Sequence, residues 1–213
     1  MAETVKRIGV HLGTAGGASN AVELAREIGA NTLQIFSASP RMWRAPKIDP
    51  KQGVMMRELR AKYDVGPLVI HTGYLINICS QTDEIREKSV AAFRGEIERA
   101  LALGAEYLVL HPGSWKGLTR DEGLKLAADS ITRAINGLPW QGTPFHILIE
   151  NTGGGVLAGR QLRAGGGVGG AAQGNCAGGR MPGHLSHSRG RLRPGQRRGI
   201  RKDDAAGRRD GGL

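Results

Sequence analysis

No run of about eighteen apolar residues occurs in the 213-residue sequence, so no membrane-spanning helix and no membrane partner are expected. Only two cysteines are present, Cys79 and Cys176. They exclude a disulfide framework and a Cys-x-x-Cys zinc knuckle, and a reducing cytoplasm is the expected setting. Met1 to Arg7 is charged and leads straight into a short strand. It has no apolar h-region, and no secretory signal is expected. Aromatic residues make up only 4% of the chain, and none follows Phe145. Acidic residues are scarce only in the tail. The net charge is +11, but residues 1–150 hold 18 Lys+Arg against 16 Asp+Glu, while 151–213 hold 12 against 3. The basic excess therefore belongs to the tail and does not by itself argue for DNA binding by the rest.

What is present is a regular alternation. Ile8 to His11 is a short apolar strand followed by a Gly-rich turn. A helix then starts near Asn20, with Glu23 completing a capping-box pattern, and stops at Gly29. Thr32 to Phe36 is the second strand. Asp49-Pro50 opens the next helix, with Gln52 three residues after the cap. Leu68 to His71 is the third strand, and Thr82 caps a long helix that ends before Gly104. Tyr107 to His111 is the fourth strand. Thr119 with Glu122 caps a helix ending near Gly137, and His146 to Glu150 is the fifth strand.

Continuous apolar strands alternating with amphipathic helices predict a parallel sheet covered by helices. Five such units fit a doubly wound sheet or part of a TIM-type (βα)8 barrel. No G-x-G-x-x-G follows the first strand, which weakens the dinucleotide-binding version. A full barrel needs roughly 250 residues, and only 63 follow Glu150. The expected division is a partial barrel over 1–155 and an irregular Gly/Arg-rich tail over 156–213. Nineteen glycines fall in residues 151–213, and no helical or strand period is sustained there. Such a segment buries too little apolar surface to offset its ordering entropy.

In parallel α/β folds chemistry sits at the C-terminal ends of the strands. Those ends carry His11, His71, His111 and Glu150. Imidazoles and a carboxylate at one barrel mouth suit zinc or a similar borderline metal. Taken singly, a histidine at a strand end is more often a hydrogen-bonded loop residue than a ligand, and Glu150 alone reads as an ion-pair partner. Their joint placement on one rim is what points to a metal.

The local sequences are more specific. His71-Thr72-Gly73-Tyr74-Leu75-Ile76-Asn77, His111-Pro112-Gly113-Ser114 and Ile149-Glu150-Asn151-Thr152 occur in that order, with Pro40-Arg41-Met42-Trp43-Arg44 upstream. Residues 7 to about 155 closely resemble endonuclease IV, the zinc-dependent apurinic/apyrimidinic (AP) endonuclease family. The resemblance implies a barrel with three zinc ions and a monomeric enzyme acting on double-stranded DNA with abasic sites. His71 and His111 would bind the first zinc. Glu150 would bridge the first and second and serve catalysis. The reaction would hydrolyse the phosphodiester 5′ to the abasic site, leaving a 3′-hydroxyl and a 5′-deoxyribose phosphate. Arg41 and Tyr74 match residues that enter the minor groove and fill the gap in bent DNA. Trp43 reads equally as packing under its loop or as a DNA contact. His11 matches a first-strand histidine, with no metal assigned to it.

The family's remaining ligands, among them an Asp-Thr-Cys-His motif, are not found where the resemblance places them. His184 and His187 stand in that neighbourhood in another context. A one-base frameshift near Gly155 accounts for this on paper. Met181 to His187 can be written ATG CCT GGA CAC CTG TCA CAC, which shifted by one base reads Cys-Leu-Asp-Thr-Cys-His. Val156 to Arg163 shifts to Ser-Leu-Leu-Gly-Gly-Asn-Phe, and Leu192-Arg193-Pro194 to Tyr-Asp-Leu. These codons are one permitted choice among synonyms. The 213-residue chain is accordingly expected to lack a trinuclear site, to cleave abasic DNA little or not at all, and to expose apolar faces and open sheet edges. Three other readings stand beside this one: a metal-dependent sugar isomerase or epimerase of the same architecture, a nucleic-acid-binding protein acting through its basic tail, and a frameshifted product without function. Sequencing the DNA that encodes Glu150 to Gly167 should reveal one missing or extra base, and an unshifted sequence sinks the frameshift reading.

Overall fold

The computed structural model describes residues 6–150. The expected tail, with His184 and His187, lies outside the described residues, as does the boundary near residue 155. Nine elements alternate along the described chain: β1 (Gly9–Leu12), α1 (Asn20–Glu27), β2 (Thr32–Phe36), α2 (Pro50–Tyr63), β3 (Leu68–His71), α3 (Asp83–Leu103), β4 (Tyr107–Leu110), α4 (Arg120–Ile135) and β5 (His146–Ile149).

Residues two apart in a strand point to the same face. Leu33 and Ile35, Leu68 and Ile70, and Leu108 and Leu110 are such pairs, and all six are fully buried. The parallel register stacks them: Leu33 against Leu68, Ile35 against Ile70, Ile70 against Leu108. One continuous apolar face results, and the helices cover it. From α3 alone, Phe93, Ile97, Ala100 and Leu103 are inaccessible to solvent. The opposite face carries Gln34, Phe36, Val69, His71, Tyr107 and Val109, all only partly buried.

The strand order is β1-β2-β3-β4-β5, every neighbour parallel and sequential. A doubly wound sheet reverses its order at a switch point. This sheet keeps one winding direction throughout, as barrel strands do. Among the described residues β1 and β5 are its edges, and β1 is poorly covered: Val10 is 48% exposed, and Ile8 just before the strand 70%.

A polar latch ties the N-terminal ends of β3 and β4 together. Arg60 donates twice to the Glu106 carboxylate at 2.6 and 2.7 Å, and the same guanidinium reaches the carbonyl of Gly104 at 2.8 Å. Glu106 in turn accepts the N–H of Leu68 at 2.7 Å, satisfying a donor at the strand's start.

The expected caps hold in part. Thr119 and Glu122 form a complete capping box at α4, and Asp49 caps α2 by accepting the N–H of Lys51 at 2.9 Å. At α1 the capping box expected on Asn20 and Glu23 does not form. Ser19 is the N-cap, and its hydroxyl donates to Gln52 Oε1 at 3.1 Å. Asn20 donates instead to the Ala15 carbonyl. Gln52 is therefore spent on joining α2 to α1 rather than on the α2 cap. Thr82 occupies the N-cap of α3 without a side-chain hydrogen bond to the helix. The strands are also slightly displaced from the expected bounds: β1 runs one residue later, and His111 and Glu150 fall just past the last residues of β4 and β5. No helix among the described residues is long and apolar enough to cross a membrane.

The Phe93 side chain anchors α3 on the sheet. Phe93→Ala should lower stability by about 3–5 kcal/mol in urea unfolding, and a loss under about 1 kcal/mol would mean that the core does not close over α3 as described.

Candidate metal centre

His71 ends β3. Beyond it the chain keeps pairing with β4, since Thr72 N–H donates to the Val109 carbonyl at 3.0 Å. The Nδ1 of His71 lies 2.8 Å from the Thr72 carbonyl. A carbonyl only accepts, so the ring proton sits on Nδ1 and the Nε2 lone pair faces outward into the mouth. Glu150 continues β5 in the same way, donating its N–H to the Leu110 carbonyl at 3.0 Å.

Three atoms meet there. His71 Nε2 is 3.2 Å from His111 Nε2 and 3.3 Å from Glu150 Oε2, and His111 Nε2 is 3.0 Å from the same oxygen. Two imidazole nitrogens at 3.2 Å need a positive centre between them or a proton on one. A tetrahedral ion with bonds of about 2.0–2.1 Å spaces its ligand atoms by roughly 3.3–3.4 Å. The three atoms thus already stand close to the spacing of three ligands on one metal. Access follows the same geometry: His71 is 12% exposed at its side chain, Glu150 44%. Burial pushes the His111 pKa down, the Glu150 carboxylate opposes this, and His71 adds to it. A neutral imidazole is the form that ligates a metal.

The turn carrying His111 is held by Asn77. Its Oδ1 accepts the N–H of Ser114 at 3.1 Å and that of Cys79 at 3.3 Å, and its own backbone N–H donates to Ser89 Oγ at 2.9 Å. Gly113 has φ +91°, and a Cβ there would lie 2.2 Å from Asn77 Oδ1. The glycine of the His-Pro-Gly-Ser turn is thus required by conformation and by contact. Cys79 Sγ donates to the Pro112 carbonyl at 3.1 Å.

His11 lies beside the group, its ring centroid 6.5 Å from that of His71. Its Nδ1 pairs with Gln34 Nε2 at 2.9 Å, so that nitrogen is engaged away from the three-atom cluster. Its pKa is lowered, by partial burial first and by His71 second. Phe36 stands between rings, 4.4 Å from His11, 5.5 Å from His71 and 5.3 Å from Tyr74. Tyr74 packs edge-on against it and remains 64% exposed. Arg41 is exposed on the loop after β2, and Trp43 is half-buried. Tyr74 N–H donates to the Pro40 carbonyl at 2.8 Å, which sets the Arg41 and Tyr74 loops side by side. His71, His111 and Glu150 therefore form one group, and Arg41 and Tyr74 stand on adjoining loops that follow β2 and β3. Asn77, Phe36 and Gln34 also shape the site and are not among the residues expected from sequence to serve it. Asn77 closes the quoted His-Thr-Gly-Tyr-Leu-Ile-Asn motif and was findable there, whereas Gln34 and Phe36 carry no signal apart from their place on the lumen side of β2.

A single-direction parallel sheet with a His-His-Glu cluster at its strand ends defines a TIM-barrel protein whose mouth carries a candidate metal site. Residues 22–163 match the family described as Xylose isomerase-like TIM barrel, and the chain belongs to that family. Within it, the chain is 49% identical over 148 residues to "Probable endonuclease 4" of Solibacter usitatus, covering 70% of this chain and 50% of that protein. It is 44% identical over 125 residues to the protein of the same name from Haloarcula marismortui, covering 59% and 45%. The crystal structure of endonuclease IV from Thermus thermophilus superposes with a TM-score of 0.64 at 37% identity, covering 72% of this chain and 55% of that one. The chain spans about half the length of the curated relatives it matches.

Burial pushes the Cys79 thiol up to about 12. At pH 8 roughly one molecule in ten thousand would carry the thiolate, the reactive form. Iodoacetamide should leave Cys79 unmodified in the native protein and alkylate it after denaturation, read by peptide mass mapping. Rapid native labelling would show that the turn under His111 opens.

Proposed function

We propose that this chain carries the first-metal half of a zinc-dependent AP endonuclease of base excision repair. Its substrate is double-stranded DNA containing abasic sites, which the complete site hydrolyses 5′ to the lesion, leaving a 3′-hydroxyl and a 5′-deoxyribose phosphate. The observation that carries this reading is the meeting of His71 Nε2, His111 Nε2 and Glu150 Oε2 within 3.3 Å of one another at the strand ends. The likeness to proteins named endonuclease 4 and endonuclease IV supports the choice of DNA as substrate. A monomer in a reducing compartment fits the same reading, with Cys79 a free and buried thiol.

The donor set suits zinc, with two nitrogens and one carboxylate oxygen. Bound zinc supplies Lewis acidity toward a phosphodiester oxygen and lowers the pKa of a nearby water. The protein's own groups do the rest. His71 is fixed in orientation and tautomer by the Thr72 carbonyl, as ligating histidines commonly are. Glu150, more open than His71, brings negative charge to the outer side of the group, where a second cation can share it. Arg41 offers a cation to the DNA backbone or minor groove. Tyr74, propped by Phe36, offers a ring to the gap left by an abasic nucleotide. Among the described residues one group of three potential ligands is present, and the family's remaining ligands are not found in the sequence where the resemblance places them, so the 213-residue chain should nick abasic DNA weakly or not at all.

Competition against a chromophoric chelator should reveal one zinc per chain, and His71→Ala should weaken it by at least about tenfold. A chain that takes up no zinc would sink the metal assignment. Fluorescence anisotropy with a duplex bearing a tetrahydrofuran abasic analogue should give tighter binding than with undamaged duplex. Tyr74→Ala should cut that preference by about fivefold or more, the loss expected of one stacking contact. Equal affinity of the unaltered chain for both duplexes would count against AP sites as substrate.

A further inference from the structure

Beneath the rim lies a buried ion pair that the metal group does not use. Glu96 and Arg99 are one turn apart on α3, each only 7% exposed, and Arg99 Nη2 lies 3.0 Å from Glu96 Oε2. Both reach toward the ends of the strands. Ser37, the first residue after β2, donates its hydroxyl to Glu96 Oε2 at 2.5 Å and accepts from Arg99 Nε at 2.8 Å. Gly73, two residues past β3, donates its N–H to the other oxygen, Glu96 Oε1, at 3.3 Å. One carboxylate thus holds the starts of two loops. A second tie closes the ring: Tyr74 N–H meets the Pro40 carbonyl at 2.8 Å, and a Cβ on Gly73 would come within 3.1 Å of that carbonyl.

Burying a charge pair costs desolvation, and an apolar pair of similar volume is often as stable or more so. Stability alone does not account for this one. What the pair supplies is direction: four hydrogen-bonding groups on three elements are satisfied only when the two loops stand in one relative position.

We infer that Glu96, with Arg99 and Ser37, is a positioning set that locks the β2 and β3 loops into one unit, so that Arg41 and Tyr74 meet a damaged duplex at fixed spacing. The part of this that concerns DNA rests on the reading of Arg41 and Tyr74 proposed above; the locking does not.

The test is amide hydrogen exchange on the full chain, read residue by residue by NMR. Replacing both charges, Glu96→Leu with Arg99→Leu, should leave the Ile70 and Leu108 amides at their original rates. Tyr74 N–H should exchange at least about tenfold faster. Tyr74 is the diagnostic amide because its acceptor is Pro40 and not the altered carboxylate. Should that double variant fail to fold, Ser37→Ala removes one link without touching the charges and should speed Tyr74 exchange in the same direction, with Ser37→Thr restoring protection through its hydroxyl. Unchanged Tyr74 exchange in folded variants overturns the inference. The preference for the tetrahydrofuran duplex over undamaged DNA separates the two claims. Where the unaltered chain discriminates, Ser37→Ala should lose much of that preference and Ser37→Thr regain it, with zinc uptake unchanged in both, and a preference that Ser37→Ala leaves intact overturns the inference. Where the unaltered chain does not discriminate, the AP-site reading fails and the exchange result alone decides the locking.

Discussion

The parallel register of β3, β4 and β5 is the constraint on which the candidate site depends. His71 pairs with Val109, and Leu110 pairs with Ile149. His111 and Glu150 therefore leave their strands side by side, one pleat beyond His71. Side chains in a strand alternate between faces, so a slip of one residue would send a ligand into the helix-facing core. The fully buried stack of Leu33, Ile35, Leu68, Ile70, Leu108 and Leu110 forbids that slip, because it would turn the opposite, partly polar face inward. Core packing and ligand placement are thus one structural fact seen from two sides of the sheet.

Around this frame the loops are fixed by polar groups rather than by bulk. Asn77 holds the turn that carries His111, the Thr72 carbonyl sets the His71 ring, and the Glu96–Arg99 pair with Ser37 joins the two loops bearing Arg41 and Tyr74. Each is a short-range device at a strand end, where the backbone leaves the ladder and needs new partners. The mouth is accordingly built as a series of cross-links between neighbouring loops, each loop braced by the next. Such bracing is how a site on loops reaches the precision of a site on a rigid element.

Much of this was legible from residues alone. All nine elements were expected in the right order, because apolar strands, glycine stops and proline starts punctuate residues 8–150 clearly. Strand ends placed His11, His71, His111 and Glu150 on one rim, the resemblance to endonuclease IV narrowed the ligand set to the last three, and the structure brings those three ligand atoms within 4.8 Å of one another. The α1 cap was misread because Ser19 and Gln52 satisfy one another across 33 residues of chain, and local pattern carries no record of so distant a partner. The Glu96–Arg99 pair was invisible for a related reason. An i, i+3 Glu–Arg on a helix ordinarily reads as a solvated surface pair, and only the fold reveals that this one is buried under two loops.

The most direct measurement is the zinc-edge X-ray absorption spectrum of the 213-residue chain loaded with one equivalent of zinc. The account predicts a first shell of nitrogen and oxygen at about 2.0–2.2 Å, with the outer-shell scattering of two imidazole rings that drops to one in His111→Ala. A shell containing sulfur, or a spectrum that His111→Ala leaves unchanged, would contradict the claim that His71, His111 and Glu150 form a metal centre.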